Sequence, residues 1–187
     1  MRSGRLHIAG FNTGSNPLAV NCAGFESFTI MASLTGHFGY EMEIITYVRD
    51  GAITHQDSLG NKGRTVAGDV QVMSAGKGIR HAEYNQESEL TRIFQIWIMP
   101  KSLGIEPNWN AAEFPKTPSG DTLPLLVSGD GLAPLSIHQD ARIYAGTLAA
   151  GTGLTHHIEG KAYLLVSEGE VTVDGHLAKR GDGLAIS

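Results

Sequence analysis

"DGAITHQDSLGNKGRTVAGDVQVMS", residues 50–74, decides the fold, because its outline returns near the end of the chain. A turn glycine, Gly51, leads into a short apolar run, and a Gly-Asp turn, Gly68 and Asp69, leads into a second. In "EGEVTVDG…KRGDGLAIS", residues 168–175 and 179–187, the same order recurs: turn glycine, strand, Gly-Asp turn, strand. One outline met twice reads as two copies of a single β-barrel unit. The second copy stops where the first still has "AGKGIRHAE" to come, so an incomplete second barrel is expected.

The rest of the chain agrees with an all-β reading. Glycine accounts for 24 of 187 residues, and the apolar segments are short, β-rich and bounded by Gly, Asp and Asn. That is the pattern of a sandwich or barrel. Strands are expected over 43–48, 51–55, 68–73, 91–99, 136–148, 161–167, 169–173 and 183–187. Between the two sets lies "PKSLGIEPNWNAAEFPKTPSGD", which holds four of the seven prolines and reads as an irregular connection. The expected organisation is a first barrel over 1–100, with 1–35 atypical, a linker over 101–121, and a second barrel over 122–187.

A chain of this length can bury about 70% of its unfolded surface, so a core needs no covalent staples. Cys22 is the sole cysteine, which excludes an intramolecular disulfide and a thiolate metal cluster and suits a reducing compartment. The first twenty residues lack the apolar run of about 7–15 residues that a secretory signal requires. No stretch approaches the roughly 18 apolar residues of a membrane span. A soluble, cytoplasmic protein is expected, with no membrane association. The net charge of −5 and the absence of a Lys/Arg cluster argue against direct nucleic-acid binding. The Gly-Lys of "GDVQVMSAGKG" is not a phosphate loop, because Gln71 and Gly78 stand where that motif needs glycine and a hydroxyl residue. Trp97 and Trp109 are read as packing residues, since no basic groove accompanies them.

Candidate chemistry sits in two segments. If "TGHFGYEMEIITYV", residues 35–48, is extended throughout, His37, Gly39, Glu41, Glu43 and Ile45 share one face. The same alternation puts His81 and Glu83 of "GKGIRHAEYN" on one face. Two such strands in a small barrel can converge His37, His81 and Glu83 on one point. Two imidazoles and a carboxylate suit a divalent transition metal, Fe(II) foremost, with Mn, Ni, Cu or Zn tolerated. The bland alternative is that each is a surface or hydrogen-bonded core residue. His55 precedes a turn rich in Asp, Ser, Gly and Asn, where a turn or supporting role fits better than ligation. His156 and His157 are adjacent, hence on opposite faces of a strand, and His138 reads as structural.

"THQDSLGN", "MSAGKGIRHAEYN" and "FQIWIMP" in the first half, with "LSIHQDARIYAG" and "GDGLAIS" in the second, resemble the pirin family of two-cupin proteins. The resemblance covers roughly residues 36–187. It implies two cupin, or jelly-roll, barrels with one metal, usually iron, in the first. It also implies ligands from both histidines of an H-P-H segment and from the His and Glu of a G-I-x-H-x-E segment. These fall on His37, Gly39, His81 and Glu83. Glycine cannot ligate, so a four-ligand site becomes three, with Glu43 as the substitute ligand or a water in the gap.

Some pirins resemble quercetin 2,3-dioxygenases, which implies a flavonol-like substrate, dioxygen, and Glu83 as the catalytic base. Other readings are a non-catalytic module that binds a protein partner and a metal-free degenerate cupin. Residues 1–35 lack the family's usual opening, and the second barrel lacks its last strands. Exposed sheet edges of that kind predict a homodimer or marginal stability.

Overall fold

The computed structural model describes residues 4–11, 26–30 and 34–186, with side chains described over 39–186. Every element among the described residues is a strand, and no helix is long and apolar enough to cross a membrane. The chain divides into two compact units.

The first unit takes Ala19–Pro115 and Leu135–Gln139. Its strands are β2 (Glu26–Ile30), β3 (Leu34–Gly39), β4 (Glu43–Asp50), β5 (Ala52–Asp57), β6 (Lys62–Val66), β7 (Val70–Ser74), β8 (Ile79–Tyr84), β9 (Thr91–Ile98), β10 (Asn108–Ala112) and β12 (Leu135–Ser136). All but the two-residue β12 form a five-stranded sheet in the order β10-β7-β4-β9-β2 and a four-stranded sheet in the order β3-β8-β5-β6. Apolar residues from the two sheets meet between them. Val48 and Ile93 of the larger sheet cluster with Ile53 of the smaller, and Ile44 and Met73 cluster with Ile79. Full burial of each such side chain contributes about 1.5–3 kcal/mol, which drives the sheets face to face.

The turns follow from local chemistry. Gly51 joins β4 to β5 at a φ of 73°, where a side chain would meet Thr91 Oγ1 at 2.6 Å. Asp57 closes the β5–β6 hairpin by accepting from the backbone N–H groups of Leu59 and Asn61 at 2.9 and 3.0 Å.

The second unit takes β1 (Gly4–Phe11), β11 (Leu125–Ser128), β13 (Ala141–Leu148), β14 (Lys161–Glu168), β15 (Glu170–Val173), β16 (His176–Lys179) and β17 (Gly183–Ile186). Its main sheet runs β11-β13-β1-β14-β17, and β15 pairs with β16 as a hairpin. Leu164, Val166, Ala178 and Leu123 form the centre of its core.

Three expectations change. The sequence places residues 1–100 together, yet β1 is hydrogen-bonded between β13 and β14 in the other unit. Those two strands would otherwise present a gap of unpaired backbone groups. The connection at 101–121 contains β10, which pairs with β7 over five residues, so it is not wholly irregular. Residues 35–48 are not one extended run either. The chain turns at Glu41, whose φ is 47°, and β3 and β4 lie in different sheets. Alternation therefore cannot be carried from His37 to Glu43.

Candidate metal centre

The four-stranded sheet brings the candidate residues into register. His55 stands opposite Glu83, Asp57 opposite His81, and His37 opposite His81 on the other side. Period two along β8 places His81 and Glu83 with Ile79, which packs into the interior between the sheets. His81 and Glu83 thus share one face, as their spacing predicts. The side chain of His37 lies outside the described residues; its backbone position beside His81 is set by the β3–β8 ladder.

Glu83 is 3% exposed and sits in a frame of amide donors from the opposite sheet. Gln71 Nε2 donates to Oε1, and Gln95 Nε2 donates to Oε2 at 3.1 Å. Each amide is held in turn. Thr65 Oγ1 donates to Gln71 Oε1 at 3.0 Å, and Trp97 Nε1 donates to Gln95 Oε1 at 2.9 Å. Burial pushes the Glu83 carboxyl up to about 7, against the hydrogen bonds from Gln95, Thr46 and Gln71, which pull it down.

His55 is 1% exposed. Its Nε2 lies 3.1 Å from Asp57 Oδ2, an oxygen that can only accept, so Nε2 carries the hydrogen and Nδ1 presents a lone pair. That Nδ1 is buried without a hydrogen-bond partner. Burial lowers the His55 pKa, although Asp57 works against it. Burial alone would raise Asp57, but the bonds from Asn61, His55 and Leu59 hold it below the usual carboxylate range. The His55 ring stacks on Trp109 at 4.8 Å and 7°, and on His81 at 5.9 Å and 19°. Gly63 makes the first stack fit, because a Cβ there would lie 2.3 Å from Trp109 Cη2.

Gly39 shares the register row of Ile79. The three nearest atoms that a Cβ at this position would meet are apolar, on Ala75 at 3.0 Å and on Ile79 and Met73 at 3.6 Å each.

Glu43 is not the substitute. Thr46 and Glu43 are three residues apart on β4, so they face opposite sides of the sheet. Thr46 belongs to the inner face that reaches Glu83. Glu43, fully buried, instead accepts from Ser74 Oγ at 2.8 Å and lies 3.3 Å from His138 Nδ1. Among the described residues no three His, Cys, Asp or Glu side chains form a group that could hold an ion. The described half of the donor set is His81 and Glu83. With His37 registered beside His81, the chemistry of that set fits a divalent transition metal.

Four residues of the site escaped the sequence reading: Thr46, Thr65, Gln71 and Gln95. A signal existed for the two glutamines. Each stands alone in an apolar strand, "VQVM" and "FQIW", and a buried amide must find a partner.

Comparison with known proteins adds to this geometry. The family model described as Pirin matches residues 15–98, and that of the quercetinase C-terminal cupin domain matches residues 125–187. A pirin-like protein of Caulobacter vibrioides is 56% identical over 150 residues, covering 78% of this chain and 65% of that protein. A quercetin 2,3-dioxygenase of Escherichia coli is 42% identical over 149 residues, covering 78% of this chain and 64% of that enzyme. The chain thus spans somewhat less than two thirds of the length of these curated relatives. Among solved structures, the bacterial pirin YhhW of Escherichia coli in complex with nickel(II) superposes with a TM-score of 0.77 at 35% identity. That match covers 97% of this chain and 82% of YhhW.

Proposed function

The chain belongs to the pirin family, and on that footing we propose that it is a metal-binding two-barrel protein with quercetin 2,3-dioxygenase-type activity. A divalent transition metal would be held by His37, His81 and Glu83. The observation that carries the reading is Glu83, a buried carboxylate in a frame of amide donors, two residues from His81 on the interior face. The similarity to a quercetin 2,3-dioxygenase and to the nickel complex of YhhW supports it.

The metal, when bound, supplies Lewis acidity towards a hydroxyl oxygen and a meeting point for dioxygen. The chain's residues supply the remainder. Glu83 is the acceptor for the 3-hydroxyl proton of a flavonol-like substrate, and Gln71 and Gln95 hold its carboxylate in place for that transfer. The apolar clusters around Ile53 and Ile79 keep the interior dry, which strengthens each of these polar contacts.

A second reading is favoured by one specific observation, the apolar lining of Gly39. Three donors in place of four fit a protein-binding module in which the metal is retained without turnover. Oxygen uptake with loss of flavonol absorbance separates the two. Metal-loaded protein should consume both, and Glu83→Gln should consume neither. Metal-loaded protein that leaves the flavonol and the oxygen level unchanged would overturn the enzymatic reading.

A further inference from the structure

We propose that Thr65 and Trp97 are positioning residues for Glu83: by donating to the carbonyl ends of Gln71 and Gln95 they turn both amide NH2 groups towards the carboxylate. The inference rests on the reading of Glu83 as a metal donor and adds the residues that aim it.

The argument is one of donor and acceptor inventory. A glutamine amide has a donor end and an acceptor end, and the wrong end against a carboxylate repels it. Something must therefore choose the orientation. The indole N–H of Trp97 can only donate, so the Gln95 atom it meets at 2.9 Å is Oε1. The other end of the same planar amide then delivers Nε2 to Glu83 Oε2 at 3.1 Å. On the opposite side Thr65 Oγ1 donates to Gln71 Oε1 at 3.0 Å while Gln71 Nε2 donates to Glu83 Oε1; a hydroxyl can accept as well as donate, so Thr65 holds this orientation by satisfying the carbonyl end rather than by forbidding the flip.

The two relays reach the carboxylate from different strands, Thr65 on β6 through β7 and Trp97 on β9. Each oxygen of Glu83 receives its own N–H. Thr65 is 2% exposed and Gln71 2%, so no bulk water can take over the role on that side. Trp97 is 38% exposed, which leaves its indole as the one member of the network open to solvent while its N–H stays engaged. Supporting partners of this kind typically change metal affinity about 10–100-fold when removed.

The test uses three variants of the chain. Thr65→Val keeps the shape and deletes the donor, and Thr65→Ser restores the hydroxyl. Trp97→Phe keeps an aromatic ring and deletes the N–H. Nickel(II) titration should show Thr65→Val and Trp97→Phe binding about 10–100-fold more weakly than wild type, with Thr65→Ser recovering most of the loss. Side-chain amide proton exchange, read by nitrogen-15 NMR on metal-free protein, should show Gln71 protected in wild type and Thr65→Ser and exposed in Thr65→Val. A merely structural role would alter the folding midpoint without that selective change. Persistent protection of the Gln71 amide in Thr65→Val, or Thr65→Ser as weak as Thr65→Val, would overturn the proposal. If wild type takes up no nickel, the metal reading fails, and the exchange measurement on metal-free protein still decides the orientation claim.

Discussion

Glu83 and Glu43 are both buried glutamates of the same barrel, 3% and 0% exposed, and they have different fates. Glu83 looks into the space between the two sheets and meets three side chains of the opposite sheet, Thr46, Gln71 and Gln95. Glu43 looks out of the other face of that opposite sheet and is held by Ser74 and His138. Burial and residue type are shared, so neither identifies the site. Strand parity does, because an odd step along β4 moves a side chain from one face to the other.

That contrast can be broken most sharply with pH. Glu83 has a folded-state pKa raised from 4.5 to about 7, so the folded protein holds this proton more tightly than the unfolded chain. The contribution of Glu83 to the stability of the metal-free protein should fall as pH rises from about 4.5 to about 7, by up to about 3 kcal/mol, and stay level above that. Glu83→Gln has no such proton to lose. The difference between the urea midpoints of Glu83→Gln and wild type should widen through this window, and a difference independent of pH would remove the burial account of Glu83.

Smaller effects sharpen the same comparison. Glu43→Ala strips Ser74 and His138 of their shared acceptor and should cost about 1–3 kcal/mol in denaturant unfolding. Gly63→Ala drives a methyl group into Trp109, which must leave its stack on His55. A loss of about 1–3 kcal/mol with a shift in tryptophan emission is expected. Gly39→Ala should matter least. The added methyl meets Ala75 at 3.0 Å, while the unfolded chain loses some freedom, so thermal unfolding should place the net change within about 1 kcal/mol of zero.

Much of the fold was legible because turn glycines and apolar alternation are local signals. The strands at β4, β5, β7, β9, β14 and β17 lie close to where those signals place them. The destination of β1 was not, since pairing between β13 and β14 is a partnership across more than a hundred residues. The site divides in the same way. His81 and Glu83 were readable from a spacing of two along one strand. Glu43 was misplaced because the left-handed turn at Glu41 interrupts an otherwise extended pattern, and no glycine marks it. Gln71, Gln95 and Thr65 acquire a role only when the second sheet brings them to Glu83.

The most direct measurement is metal content by mass spectrometry after nickel(II) or Fe(II) reconstitution of wild type, Glu83→Ala and Glu43→Gln. The account predicts about one equivalent in wild type and in Glu43→Gln, and none in Glu83→Ala. Metal lost from Glu43→Gln, or retained in Glu83→Ala, would contradict it.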